Sequence, residues 1–309
     1  MNPTVKFAII LVAVLALAIV AALVSLAGAK DIVLGGKDFT EQSILCEMMA
    51  ILIEENTDLA VTRRPFLGGT MVCFNALRGG NLDAYAEYTG TGLVNILNEE
   101  VVNDPGQVYQ TVKTRFDATY DLVWLEPFGF NNTYALAMRR NQADELGIRT
   151  ISDLAAYLRD GGSLTAGFTH EFLDRPDGYP GLAEAYDMAF PDRPRGLDPG
   201  LMYQACADGS VYVICAFATD GRIEAFELVT LDDDRRFFPP YQAAPLVRQD
   251  TLAAHPELRD VLNRLAGRLD DATMRRLNYQ VDRRDDPRKA ADVARAFLRR
   301  EGLIGSQQE

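Results

Sequence analysis

Five short segments combine aromatic, hydroxyl and charged side chains, the residue types that line small-molecule binding sites. Each stands at a junction between predicted elements, where the loops of an α/β protein form a cleft. They are residues 36–42, 87–91, 130–134, 171–178 and 217–222. One tyrosine in such a loop is commonly just half-buried packing, but the recurrence in five loops favours ligand binding.

Patterns typical of catalysis are weak by comparison. The sequence contains no G-x-S-x-G, H-E-x-x-H, P-loop or complete G-x-G-x-x-G pattern. Its two histidines, His170 and His255, are too few for a multi-histidine metal site or proton relay. Asp83, Tyr85 and Glu87 share one face of a predicted strand, where the carboxylates suit either acid–base work or a solvated surface. We expect no catalytic residue, no metal site and no cofactor.

The composition is that of a globular chain of 309 residues and 34.1 kDa. Apolar residues make up 48% and charged residues 24%, which excludes wholesale disorder and a many-span membrane protein. Because 44 acidic residues outnumber 31 basic ones, the net charge is −13. Such a chain repels phosphate backbones, so we expect no nucleic-acid partner.

The first 29 residues have the organisation of an export signal. Lys6 precedes eighteen consecutive apolar residues, 7–24, and Ala27-Gly28-Ala29 offers a signal-peptidase site. The apolar run is also long enough to span a bilayer, so residues 1–29 are either a cleaved signal peptide or a signal anchor helix. Both alternatives predict a periplasmic or otherwise extracytoplasmic protein, since Lys6 holds the N-terminus inside.

Four cysteines, Cys46, Cys73, Cys206 and Cys215, each stand in an apolar stretch. Export permits disulfides, and four cysteines allow three pairings, among which the sequence does not choose. Buried free thiols are an equal alternative.

The rest of the chain alternates predicted strands and helices. The first set comprises strands over 32–34, 60–62 and 82–88, with helices over 41–56 and 70–77 and another after 89–92. Thr40 is the expected cap of the first helix. The apolar stripe of that helix is Ile44, Leu45, Met48, Met49 and Leu52. This βαβαβ order predicts a parallel sheet with right-handed crossovers.

A second set of elements follows from residue 134 onward. It comprises strands over 134–138, 164–168, 211–217 and 223–231, and a helix capped by Ser152 that runs to 158. Residues 237–241 carry two prolines, which exclude a central strand and suit a crossing between lobes. Helical spacing recurs over 256–269, 271–279 and 288–299.

The two sets predict an α/β fold of two lobes with a ligand cleft between them. We expect lobe 1 to comprise residues 30–130 and 240–309, and lobe 2 to comprise residues 131–239.

Seven motifs give the chain a family resemblance: GKDFTEQ, LGGT, EYTGT, FNNTYALAMR, EFLDRPDGYPGL, FATDGRI and FPPYQAAPLVR. With them, residues 32–298 resemble the substrate-binding proteins of glycine betaine/choline (osmoprotectant) ABC importers. The resemblance implies a two-lobed, type II-like periplasmic-binding-protein fold that closes around its ligand.

The resemblance also implies the ligand-binding residues. Tyr88, Tyr134 and Tyr241 fall on the positions of the family's aromatic box for a quaternary ammonium group, and Phe217 falls on a fourth position where several relatives have Tyr. Lys37, Thr91 and Arg175 stand where the family meets the ligand's carboxylate. A trimethylammonium group has no N–H to donate, so ring faces are suitable partners for it.

Choline lacks a carboxylate and would leave Lys37 and Arg175 unpaired, which favours betaine-type ligands. The resemblance further implies two partners, an ABC permease in the membrane and a separate ATPase. In lobe closure, Lys37, Tyr88, Thr91 and Tyr241 would come from lobe 1, and Tyr134, Arg175 and Phe217 from lobe 2.

Two other functions remain as alternatives to delivery of a compatible solute. One is a membrane-anchored sensor of the same ligand, which an uncleaved anchor would favour. The other is an extracytoplasmic hydrolase or lyase that uses Asp83, Glu87 or His170, for which no complete catalytic constellation is visible.

Overall fold

The computed structural model describes residues 32–305, which form two five-stranded sheets flanked by helices. The predicted signal or anchor segment, residues 1–29, lies outside the described residues. Within residues 32–305, no helix has the length and apolar character needed to cross a membrane.

The strands are short and fall into two groups along the chain. They are β1 (Ile32–Gly35), β2 (Val61–Arg64), β3 (Ala84–Tyr88), β4 (Leu122–Trp124), β5 (Tyr134–Arg139), β6 (Ala166–Thr169), β7 (Arg195–Leu197), β8 (Val213–Phe217), β9 (Leu228–Thr230) and β10 (Ala243–Arg248).

The helices connect these strands and fill the C-terminal part. They are α1 (Thr40–Asn56), α2 (Thr70–Arg78), α3 (Thr89–Thr91), α4 (Pro105–Tyr120), α5 (Arg140–Leu146), α6 (Ile151–Arg159), α7 (His170–Asp174), α8 (Tyr179–Tyr186), α9 (Pro199–Ala207), α10 (Arg222–Ala225), α11 (Gln249–Ala254), α12 (Glu257–Asn263), α13 (Asp271–Asp282) and α14 (Ala290–Arg300). A π-helical turn, Gly92–Ile96, follows α3 directly.

The two sheets have the same design. The first sheet has the order β2-β1-β3-β10-β4, and the second has the order β7-β6-β8-β5-β9. In the first, β1 runs parallel to β2 and β3, as the βαβαβ prediction requires, while β10 is antiparallel to β3 and β4. In the second, β6 is parallel to β7 and β8, while β5 is antiparallel to β8 and β9. Each sheet therefore contains one strand, β10 or β5, that runs opposite to the other four.

The chain crosses between the sheets twice. A first crossover segment, residues 125–133, leads from β4 to β5, and a second, residues 231–242, leads from β9 to β10. The two segments pair at an isolated bridge between Asn131 and Gln242. As predicted, the Pro239-Pro240 pair lies in a crossover, because proline removes the N–H donors that a central strand needs. The division into lobes with the boundaries given above stays a prediction.

Helix α1 lies at the centre of the part of the molecule that is built on the first sheet. Its predicted apolar stripe is buried, and so are residues on its other faces, such as Ile51 and Ile53. The reason is that α1 packs between the first sheet and the C-terminal helices α12, α13 and α14. The start of α1 is thereby held next to residues far away in the sequence.

Three local predictions were wrong. Phe39 occupies the N-cap position of α1, while Thr40 lies inside the helix and donates its hydroxyl to Asp282 at 2.6 Å. Thr150, not Ser152, caps α6, because the side chain of Asp153 bonds back to the Thr150 N–H in a capping box. The strand expected over 223–231 is divided into α10 and the shorter β9.

All four cysteines, Cys46, Cys73, Cys206 and Cys215, are buried free thiols. Burial raises the pKa of each thiol. Of the two alternatives that the sequence left open, the structure has the one without disulfides.

Candidate ligand site

A cavity of about 360 Å³ lies between the two sheets, within the usual size range of small-molecule sites. All seven residues predicted to bind ligand line this cavity: Lys37, Tyr88, Thr91, Tyr134, Arg175, Phe217 and Tyr241. The structure therefore brings the predicted residues together. Their role in binding stays a prediction.

Strand ends position the lining residues. Lys37 follows β1, Tyr88 is the last residue of β3, and Tyr241 stands shortly before β10. On the opposite side, Tyr134 opens β5 and pairs in register with Phe217, the last residue of β8. Because those two strands are antiparallel, their ends place both rings at one edge of the second sheet.

Five rings form a continuous aromatic cluster on the cavity wall: Phe39, Tyr88, Tyr134, Phe217 and Tyr241. The ring centroids are 6.2 Å apart for Phe39–Tyr88 and 5.2 Å for Phe39–Phe217. They are 5.0 Å apart for Tyr134–Phe217 and 5.5 Å for Tyr134–Tyr241. The sequence reasoning missed Phe39, although it follows Lys37 and Asp38 in the same loop.

The tyrosines of the cluster are neutral phenols. Burial, the largest cause, raises the pKa of Tyr88, Tyr134 and Tyr241 well above the ordinary value. Two of the hydroxyls donate to buried carboxylates, Tyr88 to Glu41 at 2.7 Å and Tyr241 to Asp177. These bonds hold both rings in place and direct their hydroxyls away from a ligand.

Lys37 is buried and already paired. Its Nζ donates to Glu87 Oε1 at 2.6 Å and to the Thr70 hydroxyl at 3.0 Å. The same ammonium lies 5.1 Å from the centre of the Tyr88 ring.

Arg175 is paired more completely. Its guanidinium donates through Nε and Nη2 to the two oxygens of Asp177, at 2.8 and 2.6 Å, and through Nη1 to Glu171 at 3.0 Å. Burial opposes the charge, but the hydrogen bonds and negative charge of Asp177 raise the pKa of Arg175 well above its ordinary value.

These ion pairs overturn the reasoning against choline. Lys37 and Arg175 each have a carboxylate partner within the protein. A ligand without a carboxylate therefore does not leave these cations unpaired. The ligand preference that was inferred from unpaired charges loses its basis.

Acidic side chains add a negative region to the cavity, which Asp38, Glu171 and Asp198 also line. Burial, assisted by the charges of Glu171 and Asp198, raises the pKa of Asp38. For Glu171, burial acts upward, but the charges of Lys37 and Arg175 outweigh it and lower the pKa. Three carboxylates and two cations, Lys37 and Arg175, thus line the cavity, and this excess of acidic groups suits a positively charged ligand.

The carboxylates of the candidate acid–base group, Asp83 and Glu87, both form hydrogen bonds within the protein. Asp83 precedes β3 and accepts bonds from the Val33 N–H and the Thr251 hydroxyl, both at 2.8 Å. Glu87 accepts from Lys37, from the Tyr85 hydroxyl and from a backbone N–H. Neither Asp83 nor Glu87 lines the cavity, whereas His170 does.

Polar residues of the crossovers stabilise the surroundings of the cavity. Asn131 accepts the Tyr241 N–H, and Asn132 lines the cavity and bonds to Glu41. Arg222 forms a bidentate ion pair with Asp220. Across residues 32–305, no cluster of three metal-ligating side chains forms.

Comparisons with known proteins agree with this architecture. Residues 30–300 match the family described as the substrate-binding domain of the ABC-type glycine betaine transport system. The chain is 40% identical over 294 residues to a glycine-betaine-binding protein of Pseudomonas aeruginosa, covering 92% of each chain. It is 35% identical over 274 residues to a carnitine transport binding protein of Listeria monocytogenes, covering 88% of this chain and 87% of that protein.

A solved structure shows the same fold. It is a crystal structure described as a glycine betaine/carnitine/choline ABC transporter, 32% identical to this chain with a TM-score of 0.72. The match covers 89% of this chain and 100% of that chain.

Proposed function

The chain belongs to the family of substrate-binding domains of ABC-type glycine betaine transport systems, and we propose that its cavity binds a quaternary ammonium solute. The observation that carries the proposal is the aromatic cluster, in which five rings line one cavity. Ring faces attract a cation even when it offers no N–H for a hydrogen bond.

The energies are adequate for uptake at low concentration. Each ring contributes roughly 0.5–2 kcal/mol to a desolvated cation, so three or four rings supply about 2–8 kcal/mol. A micromolar dissociation constant corresponds to about 8 kcal/mol. Charge-assisted hydrogen bonds at roughly 1.5–3 kcal/mol each can provide the difference.

Lys37, Thr91 and Arg175 are proposed to meet the polar end of the ligand. An arginine has five N–H donors and a lysine three, and the bonds described above use three of Arg175 and two of Lys37. The remaining donors can serve the carboxylate of a betaine or carnitine, or the hydroxyl oxygen of choline. The ligand class is therefore a quaternary ammonium solute with an oxygen acceptor.

Lobe closure is the proposed mechanism of delivery. Lining residues come from elements of both sheets, so a ligand in contact with both stabilises the closed arrangement. We propose that the closed protein delivers the solute to a separate permease and ATPase, that it acts outside the cytoplasm, and that it performs no catalysis of its own.

Calorimetric titration of the purified protein tests this function. Glycine betaine, proline betaine, carnitine and choline are the ligands, with ectoine and a neutral amino acid as comparisons. We expect micromolar binding of at least one quaternary ammonium compound. Failure of all four to bind would overturn the proposal.

The tyrosines provide the test of the site. Tyr88→Ala and Tyr241→Ala should each weaken binding tenfold or more, since each ring contributes about 1–2 kcal/mol. Tyr157→Ala, on helix α6 outside the cavity, is the matched control and should bind like the wild type. Wild-type affinity in both site variants would exclude the aromatic cluster as the binding site.

A further inference from the structure

Glu41, near the start of α1, is a buried carboxylate with four side-chain donors. The exposed fraction of this residue is 2%, and it does not line the cavity. Its Oε1 accepts from the Tyr88 hydroxyl at 2.7 Å and from Asn132 Nδ2 at 2.8 Å. Its Oε2 accepts from the Thr219 hydroxyl and from Asn278 Nδ2 at 3.0 Å. We call these five residues the Glu41 cluster.

The four donors come from four separate parts of the fold. Tyr88 ends β3 in the first sheet, and Asn132 belongs to the first crossover segment. Thr219 follows β8 of the second sheet, and Asn278 lies on α13. One carboxylate thus joins both sheets, a crossover and the C-terminal helices, directly behind two residues of the cavity wall.

The charge of Glu41 is held by neutral groups. Among the described residues, no cation lies within ion-pair distance of it, unlike Glu87 and Asp177, which pair with Lys37 and Arg175. A buried charge without a counter-ion is tolerated only when its hydrogen bonds are complete. Burial raises the pKa of Glu41 to about 7, and the four hydrogen bonds act in the opposite direction.

Other charged groups pack around the Glu41 cluster. On α13, Asp282 accepts the hydroxyl of Thr40, and burial together with the charge of Asp220 raises the pKa of Asp282 to about 6. Asp220 is paired with Arg222 of α10. On the cavity side, the Lys37 ammonium lies 5.1 Å from the centre of the Tyr88 ring, and His170 lines the cavity wall. Asp282 and His170 are therefore the groups from which Glu41 must be distinguished.

We propose that Glu41 is a positioning residue for cation binding, and that a cation entering the aromatic cluster favours its ionised form and so releases a proton. This inference rests on the proposed function. When Glu41 is ionised, all four donors have an acceptor. The ring of Tyr88 is then also more negative, because its hydroxyl bonds to a carboxylate. In the neutral form the carboxyl group must itself donate, so one of the four donors loses its partner. The ionised acceptor that holds Tyr88 and Asn132, both of which line the cavity, is then lost.

The coupling is reciprocal because binding and protonation are linked. If the cation stabilises the charge on Glu41, ionised Glu41 stabilises the bound cation. Affinity should therefore fall as the pH decreases through about 7. Each pKa unit by which the ligand lowers the pKa of Glu41 corresponds to about a tenfold change in affinity between the two pH limits.

Titration calorimetry with choline and glycine betaine tests the proposal, since neither ligand changes its charge between pH 5.5 and 8. The wild type is measured across that range in two buffers of different ionisation enthalpy. We expect release of part of a proton near pH 7, and affinity about three- to tenfold weaker at pH 5.5 than at pH 8. Glu41→Gln should bind with a weaker affinity that does not depend on pH.

Two further variants identify the source of the proton. Asp282→Asn and His170→Asn should each retain proton release near pH 7. The proposal would be overturned if either of these variants no longer released a proton while Glu41→Gln still did. If Glu41→Gln does not fold, Thr219→Val serves instead. It removes one donor and keeps the carboxylate, so the pH midpoint of binding should move upward, and an unchanged midpoint contradicts the proposal.

The outcomes separate the two hypotheses. Binding by the wild type without proton release and without pH dependence overturns the role of Glu41 and leaves the proposed function intact. No binding of either ligand at any pH, together with no binding of carnitine and proline betaine, contradicts the proposed function itself.

Discussion

Two carboxylates, Glu41 and Glu171, each form a hydrogen bond between the two sides of the cavity, but they differ in burial and in neighbouring charge. Glu41, on the first side, reaches Thr219 on the second and is almost fully buried. Glu171, on the second side, accepts a bond from Asn95 of the first at 3.3 Å, and 31% of its side chain is exposed. Both connect the same two halves of the molecule, but one lies behind the cavity and the other on its wall.

Their pKa values move in opposite directions for one reason. Burial acts upward on both, and around Glu41 only neutral donors oppose it. Around Glu171 the charges of Lys37 and Arg175 outweigh it. The comparison teaches that a nearby cation, more than burial, decides which carboxylate keeps its charge near neutral pH.

The largest effect is expected from removing the cation that makes the two carboxylates differ. Arg175→Ala leaves Asp177 buried without its ionic partner and removes a partner of Glu171. The free energy of unfolding should fall by about 3–5 kcal/mol, measured by urea denaturation.

Arg115→Ala is the matched control, because the Arg115–Glu99 pair is largely exposed and should contribute no more than about 1 kcal/mol. An equal loss of unfolding free energy in the two variants would show that the buried pair of Arg175 contributes no more than an exposed pair.

The second effect concerns the stability of the ligand-free protein against pH. Since the pKa of Glu41 in the folded state is about 7, above its ordinary 4.5, its contribution to stability is greatest below pH 4.5 and is lost as the pH rises through 7. The wild type should lose on the order of 2–3 kcal/mol relative to Glu41→Gln between pH 4.5 and pH 8. Urea denaturation of both proteins across this range measures the difference.

Stability and affinity thus change in opposite directions with pH. A difference between the two proteins that stays constant with pH would mean that the pKa of Glu41 is not raised in the folded protein.

The smallest effect is expected at the exposed contact. Asn95→Ala removes the donor to Glu171 and should weaken ligand binding by about two- to fivefold with little change in stability, because one partly exposed hydrogen bond is lost. Asn141→Ala, at the exposed start of α5, is the control and should bind as the wild type does. A larger effect than that of Tyr88→Ala would place the main binding energy at this contact.

Much of the architecture could be predicted from local patterns. Alternating apolar strands and helices indicated the parallel βαβαβ unit, and two adjacent prolines indicated a crossover. Helix caps were less accessible. Thr40 and Ser152 are good capping residues in isolation, but the hydroxyl of Thr40 bonds to Asp282, 242 positions away, and Thr150 competes with Ser152 through Asp153.

The seven candidate binding residues could be found because each belongs to a short motif through which the chain resembles a known family. Parallel strands place element junctions at the same edge of a sheet, so motif residues meet in the cavity even though they are distant in sequence. Phe39 could have been found in the same way, since it stands two positions after Lys37 in the first of these loops.

The pattern of residues along the chain was enough to indicate an α/β fold, a family and the side chains that line the cavity. The charge partners of those side chains depended on the folded arrangement. Lys37 pairs with Glu87, 50 positions away, and Glu41 bonds to Thr219 and Asn278, 178 and 237 positions away. Electrostatic interactions depend on distances in space and on burial, and neither quantity is contained in a local motif.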